Sequence, residues 1–571
     1  MADFTGSDFT NRPLELDPNG RSANVTAGTQ ELTTWTLSVS SSAIGATRGV
    51  PDPVVSVAHR SIAGEVVQLF GARLFERVIV VQRVKALGYV ITATEFAVEV
   101  WNTFRDSDQT LTAIAITGSG GLAMADPRGE PLLFAALESY IYQATVPSAG
   151  PVTINQDIVF TFTGISGTDC RVSGSRITVF SVAPDWDGGV KESISFLTDV
   201  FKGYSDNEQR RGLRQMPRRG LKYRATALSA REAAGMESLL WGWQAQPFAV
   251  PWWQDATGLT ADTPAGSFSI PCDTTDRQFA AGGIVIVWVD EFTFEALTIE
   301  TVEDDHITTT SETQLNWFSG AATLVMPCFL ARIPNSVKVD RLWSAADSID
   351  LEFTGEAQQP APTPAITLPM YKGFPVLEQM PNWRSSLNRT YNRSLAILDP
   401  KIGPITMVPK GQTAVVEQEF PWYLEDHAAV TKFRAFLLGQ FGQLRDFWIP
   451  TWDQDLVLEQ SVGASDTGIS IASEFYTQFL FPSKARRYLA FIPIDGSGNV
   501  YAKVTAAADN GDGTELLTLE TPTGKVFPKT TTQVSFLTLA RLAKDDSEIE
   551  WSTTDLAEAT LTFQEVPTEV P

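Results

Sequence analysis

Cysteine and histidine are scarce in this sequence, which limits the chemistry that its side chains can supply. Three residues of each type occur among 571. Thiols that are so few and so widely separated cannot form a disulfide framework or a zinc site, and they indicate small buried side chains in a reducing compartment. The residues concerned are Cys170, Cys272, Cys328, His59, His306 and His427.

Recognisable catalytic motifs are also missing. A serine hydrolase needs a histidine base, yet no G-x-S-x-G turn is present, and neither is a P-loop or a dinucleotide-binding G-x-G-x-x-G in a strand–turn–helix setting. His306 ends the run Glu303-Asp-Asp-His306, but neighbouring strand residues point to opposite faces, so an acidic turn is expected rather than a metal site. We predict that the chain is not an enzyme and binds no cofactor or metal. Because a glycosidase needs only two carboxylates, a glycan-degrading activity is kept as a minor alternative.

Positive charge and long apolar runs are in short supply as well. The 67 acidic residues outnumber the 43 lysines and arginines, which gives a net charge of -24 at pH 7. Nucleic acid is not an expected partner, because its phosphates require a basic face. No stretch approaches the roughly eighteen apolar residues of a membrane span, and the first residues lack the pattern of a signal peptide. We therefore expect no membrane insertion.

What the sequence does contain is an internal duplication. The stretch Pro251-Trp-Trp-Gln-Asp255 returns as Pro450-Thr-Trp-Asp-Gln-Asp455, and further tryptophans repeat at similar spacing on either side. The matched anchors are Trp186 with Trp383, Trp253 with Trp452, Asp255 with Asp455, and Trp343 with Trp551. A period of about 200 residues is too long for a solenoid unit, so we interpret the copies as two homologous domains.

Each copy of the tryptophan stretch follows a segment with helical periodicity. The first segment, about 229–245, begins with Ser229-Ala-Arg-Glu232, and the second begins near Asp426. Both have a polar residue at the start and apolar residues three or four positions apart. We predict one main helix in each copy, with a capping box at the start of the first.

The rest of the chain favours β-structure. Segments such as Phe96–Asn102 and Thr110–Thr117 alternate with a period of two, and Gly118-Ser-Gly-Gly121 is predicted to be a hairpin turn. The predicted fold class is mainly β (α+β): an N-terminal immunoglobulin-like β-sandwich, then two homologous β-rich modules, each with one main helix. The predicted layout is a partly extended arm at 1–70, the sandwich at 71–170, a first module at 171–357, a Pro-rich linker at 358–367 and a second module at 368–567.

The repeated aspartates and the fifteen tryptophans each admit two interpretations. Asp255 and Asp455 could belong to a carbohydrate site in each copy, or they could cap the turn after the tryptophan strand, which we favour. The tryptophans could form a platform for sugar rings. Most of them lie at repeat anchors or in helical segments, so packing in cores and interfaces is favoured.

One segment of this acidic chain is unexpectedly basic. Guanidinium groups form two-point contacts with carboxylates, so we predict that the segment contacts an acidic surface on another protein or another copy of the chain. The corresponding part of the second copy lacks arginine, which indicates that the two copies face different neighbours or have one partner each. The arginines are Arg210, Arg211, Arg214, Arg218 and Arg219.

Several stretches of the first copy together resemble a known family. They are Pro184-Asp-Trp186, the segment from Glu192 to Thr198-Asp199-Val200, Glu208-Gln-Arg-Arg-Gly-Leu-Arg214, Pro217-Arg218, the helical segment at about 229–245 and Val250-Pro-Trp-Trp-Gln-Asp255. They resemble tail and baseplate proteins of long-tailed, non-contractile bacteriophages, including distal-tail-like modules. The resemblance covers about 171–300 and returns from about 381–460 without the arginines. It implies no catalytic residues.

The resemblance implies a structural virion protein at the phage tail tip, made in the bacterial cytoplasm, that connects the tail tube to the hub, fibres or receptor-binding proteins. It also implies a ring. Because tubes in this class are generally sixfold and tips threefold, a trimer of two-module chains would present six similar modules, so a trimer is favoured over a hexamer. The alternative is a tail protein whose sandwich binds a host glycan or receptor.

Overall fold

The computed structural model describes residues 75–571, apart from 127, 148–149, 204–206, 244–245, 321, 344–345, 357–367, 385–386 and 411–413. The predicted N-terminal arm (1–70) and Pro-rich linker (358–367) therefore lie outside the described residues. The chain is mainly β, which confirms the predicted fold class at that level. In the part of the chain that is described, no helix is both long enough and apolar enough to cross a membrane.

The first region consists of two sheets around one apolar core. Its strands are β1 (Val78–Val80), β2 (Val84–Val90), β3 (Thr94–Asn102), β4 (Gln109–Ser119), β5 (Ala123–Ala125), β6 (Leu132–Phe134), β7 (Ser139–Val146), β8 (Thr153–Phe162) and β9 (Ile165–Arg176). One sheet has the order β1-β3-β7-β5 and the other β2-β9-β8-β4-β6. Val98 and Tyr142 of the first sheet share the core with Phe160 and Val172 of the second. The alternation of apolar residues along the strands supplies this core.

Two features of this region differ from the sequence-based prediction. β9 runs to Arg176, past the predicted boundary at residue 170. The segment Gly118–Gly121 does not close a hairpin, because β4 and β5 on either side of it belong to different sheets. Gly118 and Gly121 have φ of 99° and 67°, which glycine adopts readily. Glycine-rich segments occur both in hairpin turns and in connections between two sheets, so the sequence alone could not distinguish them.

The first module follows the sandwich without a break. Its elements are β10 (Thr178–Val179), β11 (Val190–Ser195), β12 (Thr198–Lys202), β13 (Glu208–Gly212), β14 (Arg218–Ala227), α1 (Ala230–Trp243), β15 (Phe248–Pro251), β16 (Thr257–Gly258), β17 (Ser269–Pro271), β18 (Ile284–Asp290), β19 (Thr293–Val302), β20 (His306–Thr309), β21 (Leu324–Arg332), β22 (Val339–Trp343) and β23 (Ala346–Gly355). One main helix therefore stands among many strands.

The second module has a matching series of elements. They are β24 (Met370–Tyr371), β25 (Phe374–Pro375), β26 (Asn388–Asn392), β27 (Leu395–Leu398), β28 (Thr406–Pro409), β29 (Val415–Leu424), α2 (His427–Gln440), β30 (Phe447–Pro450), β31 (Gly468–Ala472), β32 (Tyr488–Pro493), β33 (Val500–Asp509), β34 (Thr514–Leu519), β35 (Thr532–Leu542), β36 (Asp546–Trp551) and β37 (Ala557–Glu565). A short π-helical turn, Tyr476–Leu480, precedes β32.

The strand pairings of the first module return in the second. β14 pairs with β11 and β23, and β29 pairs in the same way with β26 and β37. β21 pairs with β15 and β18, as β35 does with β30 and β32. The hairpin β12–β13 corresponds to β27–β28, and the pair β22–β23 to β36–β37. Residues that hold the same place in this common pattern are called equivalent below.

Apolar side chains from both modules form one continuous core. It contains Phe353 of the first module and Phe563 of the second, both almost fully buried. Each module also has an outer lobe with its own core, around Val285 in the first and Leu489 in the second. Because burial of apolar surface is the main driving force of folding, the shared core holds the two modules together.

The two predicted helices are both present and occupy equivalent places. Ser229 and Glu232 form the predicted capping box: the Glu232 N–H donates to Ser229 Oγ, and the Ser229 N–H donates to the Glu232 carboxylate, both at 3.2 Å. Asp426 caps α2 by accepting a hydrogen bond of 2.7 Å from the Ala429 N–H. These caps fix where each helix begins after its preceding strand.

Candidate functional site

The two modules are joined by an edge-to-edge strand pairing, called here the internal seam. β11 of the first module pairs antiparallel with β36 of the second over six residue pairs. Val190 lies opposite Trp551 at one end, and Ser195 lies opposite Asp546 at the other. The pairing satisfies backbone groups that each strand would otherwise expose at a sheet edge.

The two faces of the internal seam differ in character. On the outer face, Lys191 Nζ lies 3.0 Å from Glu550 Oε2, and both side chains are partly exposed. On the inner face, Glu192, Ile194 and Ile549 are at most 2% exposed. A carboxylate buried among apolar side chains requires partners, because burial of an unpaired charge is strongly unfavourable.

Arg434 of α2 is the main partner of Glu192. Its Nε and Nη2 donate to Glu192 Oε2 at 3.1 and 2.6 Å, and Arg219 donates to the other oxygen. Burial alone would raise the pKa of Glu192, but the two guanidinium groups lower it to about 2. Burial alone would lower the pKa of Arg434, but the nearby carboxylates raise it. A charged strand residue of one module is thus tied to a charged helix residue of the other.

Asp255 completes the buried cluster. Its Oδ1 lies 3.6 Å from Arg434 Nη2 and 3.7 Å from His427 Nδ1, distances too long for hydrogen bonds. Within the described residues, neither carboxylate oxygen of Asp255 accepts a hydrogen bond. Burial raises the pKa of Asp255 and lowers the pKa of His427, so both shifts favour the neutral forms.

The hairpin β12–β13 forms a second connection across the internal seam. Arg210, with a side chain 7% exposed, donates to Asp446 Oδ2 at 3.2 Å and also to Glu569. Glu208 accepts from Arg541 Nε and Nη2 at 2.7 and 3.0 Å. Burial raises the pKa of Asp446 to about 6, and Glu569 adds to the rise. Two arginine–carboxylate contacts, one in each direction, thus hold the hairpin on the second module.

The five arginines predicted to contact another protein divide into three that contact the rest of this chain and two that are exposed. Arg210 does contact acidic side chains, but these belong to the second module of the same chain. Arg219 pairs with the buried Glu192, and Arg214 donates to the Ser195 carbonyl at 3.0 Å. For the exposed pair, contact with another protein stays a prediction. That pair is Arg211 and Arg218.

The tryptophan anchors occupy different environments. Three are at most 3% exposed, which leaves no face for a sugar ring: Trp253, Trp452 and Trp551. Trp186 is partly buried, and Trp343 and Trp383 are 61% and 46% exposed. The buried anchors therefore serve packing, whereas the exposed ones lie on surfaces of the described chain.

Strand registers alter one predicted tryptophan match. Trp551 lies opposite Ala557 in β37, and the equivalent pair in the first module is Arg341 opposite Asp347. Trp551 is therefore equivalent to Arg341, not to Trp343. Trp343 lies two positions later, beyond a register shift between Arg341 and Trp343, and spacing alone cannot reveal this difference.

The predicted match between the aspartates is also corrected. The strand pairs that flank the tryptophan turn are equivalent and equally spaced in both modules. Asp255 is therefore equivalent to Gln454, and Asp455 lies one position later. Asp455 accepts a hydrogen bond of 2.8 Å from the Phe536 N–H and another from the Thr451 hydroxyl, so it secures its turn. Asp255 instead belongs to the charged cluster of the internal seam.

The histidines and cysteines do not form a metal site in the part of the chain that is described. No group of three or more His, Cys, Asp or Glu side chains there could hold a metal ion. His306 Nδ1 lies 2.7 Å from Asp305 Oδ1 in the expected acidic turn, and both are exposed enough to meet solvent. Cys170 and Cys272 are buried thiols, and Cys328 is partly buried. Burial raises the pKa of Cys272 to about 12, so this thiol is protonated at neutral pH.

Sequence reasoning did not single out Glu192 and Arg434 as a pair. Glu192 lies between Val190 and Ile194 on the apolar side of an alternating strand, which is an unusual place for a carboxylate. Arg434 lies beside Phe433 on the buried face of α2. Charges at such apolar positions were the available signal, but only the fold shows that the two meet.

Comparisons with known proteins do not extend this description. No protein-family model matches the chain, and a search of curated proteins gives no match.

Proposed function

We propose that this chain is a ring-building structural protein of a virion. Its place is the tail tip or baseplate of a long-tailed phage, where it connects the tail tube to the hub, fibres or receptor-binding proteins. The virion assignment is supported by the resemblance of the first module to phage tail proteins. The ring-building role is supported by the internal seam.

The head-to-tail character of the internal seam carries the proposal. The seam joins β11 of one module to β36 of the other, and these strands are not equivalent. Such a heterologous contact leaves a complementary surface at each end, and its repetition gives a closed ring or an open filament. A chain with two modules already contains one such contact, the internal seam. A trimer would contain six modules, and we favour it over a hexamer of chains.

The test is the mass of the full-length protein in solution, measured by light scattering over a range of concentrations. A discrete oligomer, with a trimer as the expected size, supports the ring. A monomer at every concentration contradicts ring building. The virion assignment is tested separately by immunogold labelling of phage particles that encode the chain, because label away from the tail tip would contradict it.

A further inference from the structure

The equivalents of both seam strands lie at open sheet edges. Within the described residues, β26 (equivalent to β11) pairs only with β29, and β22 (equivalent to β36) pairs only with β23. Ile194 in the internal seam is 2% exposed, whereas its equivalent, Tyr391, is 66% exposed. Ile549 is fully buried, whereas its equivalent, Val339, is 42% exposed. The chain thus carries both halves of a second seam, and neither is filled by another of the described residues.

The buried ion pair of the internal seam recurs at these edges with its charges exchanged. Glu192 on β11 is equivalent to Arg389 on β26. Arg434 is the eighth residue of the 14-residue α2, and the eighth residue of the 14-residue α1 is Glu237. A strand carboxylate that meets a helix guanidinium is thus replaced by a strand guanidinium and a helix carboxylate. Within its own chain Arg389 donates to Asp453, and its side chain stays 24% exposed. Glu237 is exposed whereas Arg434 is buried, as expected of a contact that lacks its other half.

The hairpin β27–β28 is a third feature that indicates a second, intermolecular seam. Its equivalent, β12–β13, lies against the second module through Glu208 and Arg210, as described above. At the equivalent positions β27–β28 has Ile405 and Met407, so its contact surface is apolar rather than ionic. Exposed apolar surface of this kind marks a binding surface. The hairpin residues that are 51–98% exposed are Ile397, Leu398, Ile402, Ile405, Met407 and Val408.

The register of the internal seam, transferred to the open edges, gives compatible neighbours. It places Asn388 opposite Asp340, where the amide can donate to the carboxylate. It places Tyr391 opposite Val337, and pairs of aromatic and β-branched residues are favoured across strands. None of these positions brings like charges together.

We propose that β26 of one chain pairs with β22 of a second copy of this chain, so that Arg389 of the first meets Glu237 of the second. The apolar hairpin β27–β28 then lies on the first module of that second copy. This intermolecular seam repeats the internal one and extends the pairing from chain to chain. The inference deepens the proposed ring function and rests on it.

Cysteine cross-linking tests the register directly. Asn388→Cys with Asp340→Cys in the full-length chain should give disulfides between chains under mild oxidation, because Cβ atoms of directly opposite residues lie about 4.5–5.5 Å apart. Asn388→Cys with Lys338→Cys is the matched control, since it displaces one partner by two positions on the same face. The expected result is a ladder of covalent oligomers for the first pair and little product for the second.

Charge exchange tests the ion pair by light scattering. Arg389→Glu and Glu237→Arg should each weaken assembly by about tenfold or more, because each places like charges in contact, and the double variant should recover assembly. Arg389 also donates to Asp453 of its own chain, so urea unfolding of each variant is measured beside assembly to separate a loss of the interface from a loss of the fold. Glu300→Arg, on an exposed strand position of the outer lobe, controls for the change in charge. Discrete rings without the 388–340 cross-link would overturn the interface but not the ring function. Cross-links without discrete rings would keep the interface and overturn the ring, and a monomer without cross-links would overturn both.

Discussion

Arg434 donates two hydrogen bonds to the buried carboxylate of Glu192, although 242 residues separate them in the chain. Burial of both charges is unfavourable in itself, and only their close geometry and the added contact from Arg219 offset it. A buried ion pair of this kind is weak support for stability but specifies which surfaces fit together. The pair therefore makes the internal seam sensitive to loss of either partner.

Replacement of Arg434 by methionine should lower the free energy of unfolding by about 3–5 kcal/mol at pH 7, since Glu192 would be left charged and unpaired. Urea unfolding followed by tryptophan fluorescence measures the change. The pKa of Glu192 is about 2 in the fold against 4.5 ordinarily, so the stabilisation it gives the wild type is present above about pH 4.5 and is lost as the pH falls towards 2. The double variant Glu192→Gln/Arg434→Met should lose less than Arg434→Met alone; an equal loss would contradict this account.

Arg210→Glu should release the hairpin β12–β13 from the second module, because it brings a third carboxylate beside Asp446 and Glu569. Hydrogen exchange of the peptide that covers the hairpin should speed up by about tenfold or more. Arg211→Glu, at the exposed neighbouring position, is the matched control and should leave exchange unchanged. Equal effects of the two variants would show that overall charge, not the pairing of Arg210, holds the hairpin.

Trp551→Ala should destabilise the chain by about 3–5 kcal/mol, because it removes a fully buried aromatic ring at the seam. Trp343→Ala should change the free energy of unfolding by only about 0.5 kcal/mol or less, because that side chain is 61% exposed. Both are measured by urea unfolding below the concentration at which the chain assembles. A large loss for Trp343→Ala would contradict the exposed position of this side chain in the monomer.

Glu291→Gln should stabilise the chain at pH 8 but not at pH 4. Burial, with Glu232 and Asp290 nearby, raises the pKa of Glu291 to about 7. Its folded pKa exceeds the ordinary value of 4.5, so the fold loses stability as the pH rises from about 4.5 through 7. The difference in melting temperature between the variant and the wild type should therefore grow over this range. A constant difference would contradict the titration of Glu291 in this window.

The sequence predicted best what local patterns determine. The capping box at Ser229 and Glu232 and the cap at Asp426 are encoded by residues three positions apart, and both were identified correctly. The period-two segment Phe96–Asn102 lies within β3 for the same reason. Such features depend on a few neighbouring residues, so a single sequence suffices to find them.

Features that depend on distant residues were missed or misassigned. The sequence predicts an acidic partner for Arg210 on another protein or another copy of the chain, but Asp446, 236 residues away in the same chain, supplies it. The match of Trp343 with Trp551 failed because the two tryptophans lie at different positions of their hairpins, which only the strand registers reveal. Spacing and composition do not show which strands pair. The charged cluster of the seam forms only because β11 and β36 pair next to α2.

In a ring built as proposed, the order of the modules follows from two ion pairs of opposite orientation. The pair within the chain has its carboxylate on the strand (Glu192 with Arg434), and the pair between chains has its carboxylate on the helix (Arg389 with Glu237). A junction between two first modules would set Glu192 against Glu237, and one between two second modules would set Arg389 against Arg434. Like charges reject both junctions, so the modules alternate and every closed ring holds an even number. A truncated chain with a single module could fill only one of its two junctions without bringing like charges together, so a ring that contained it would not close.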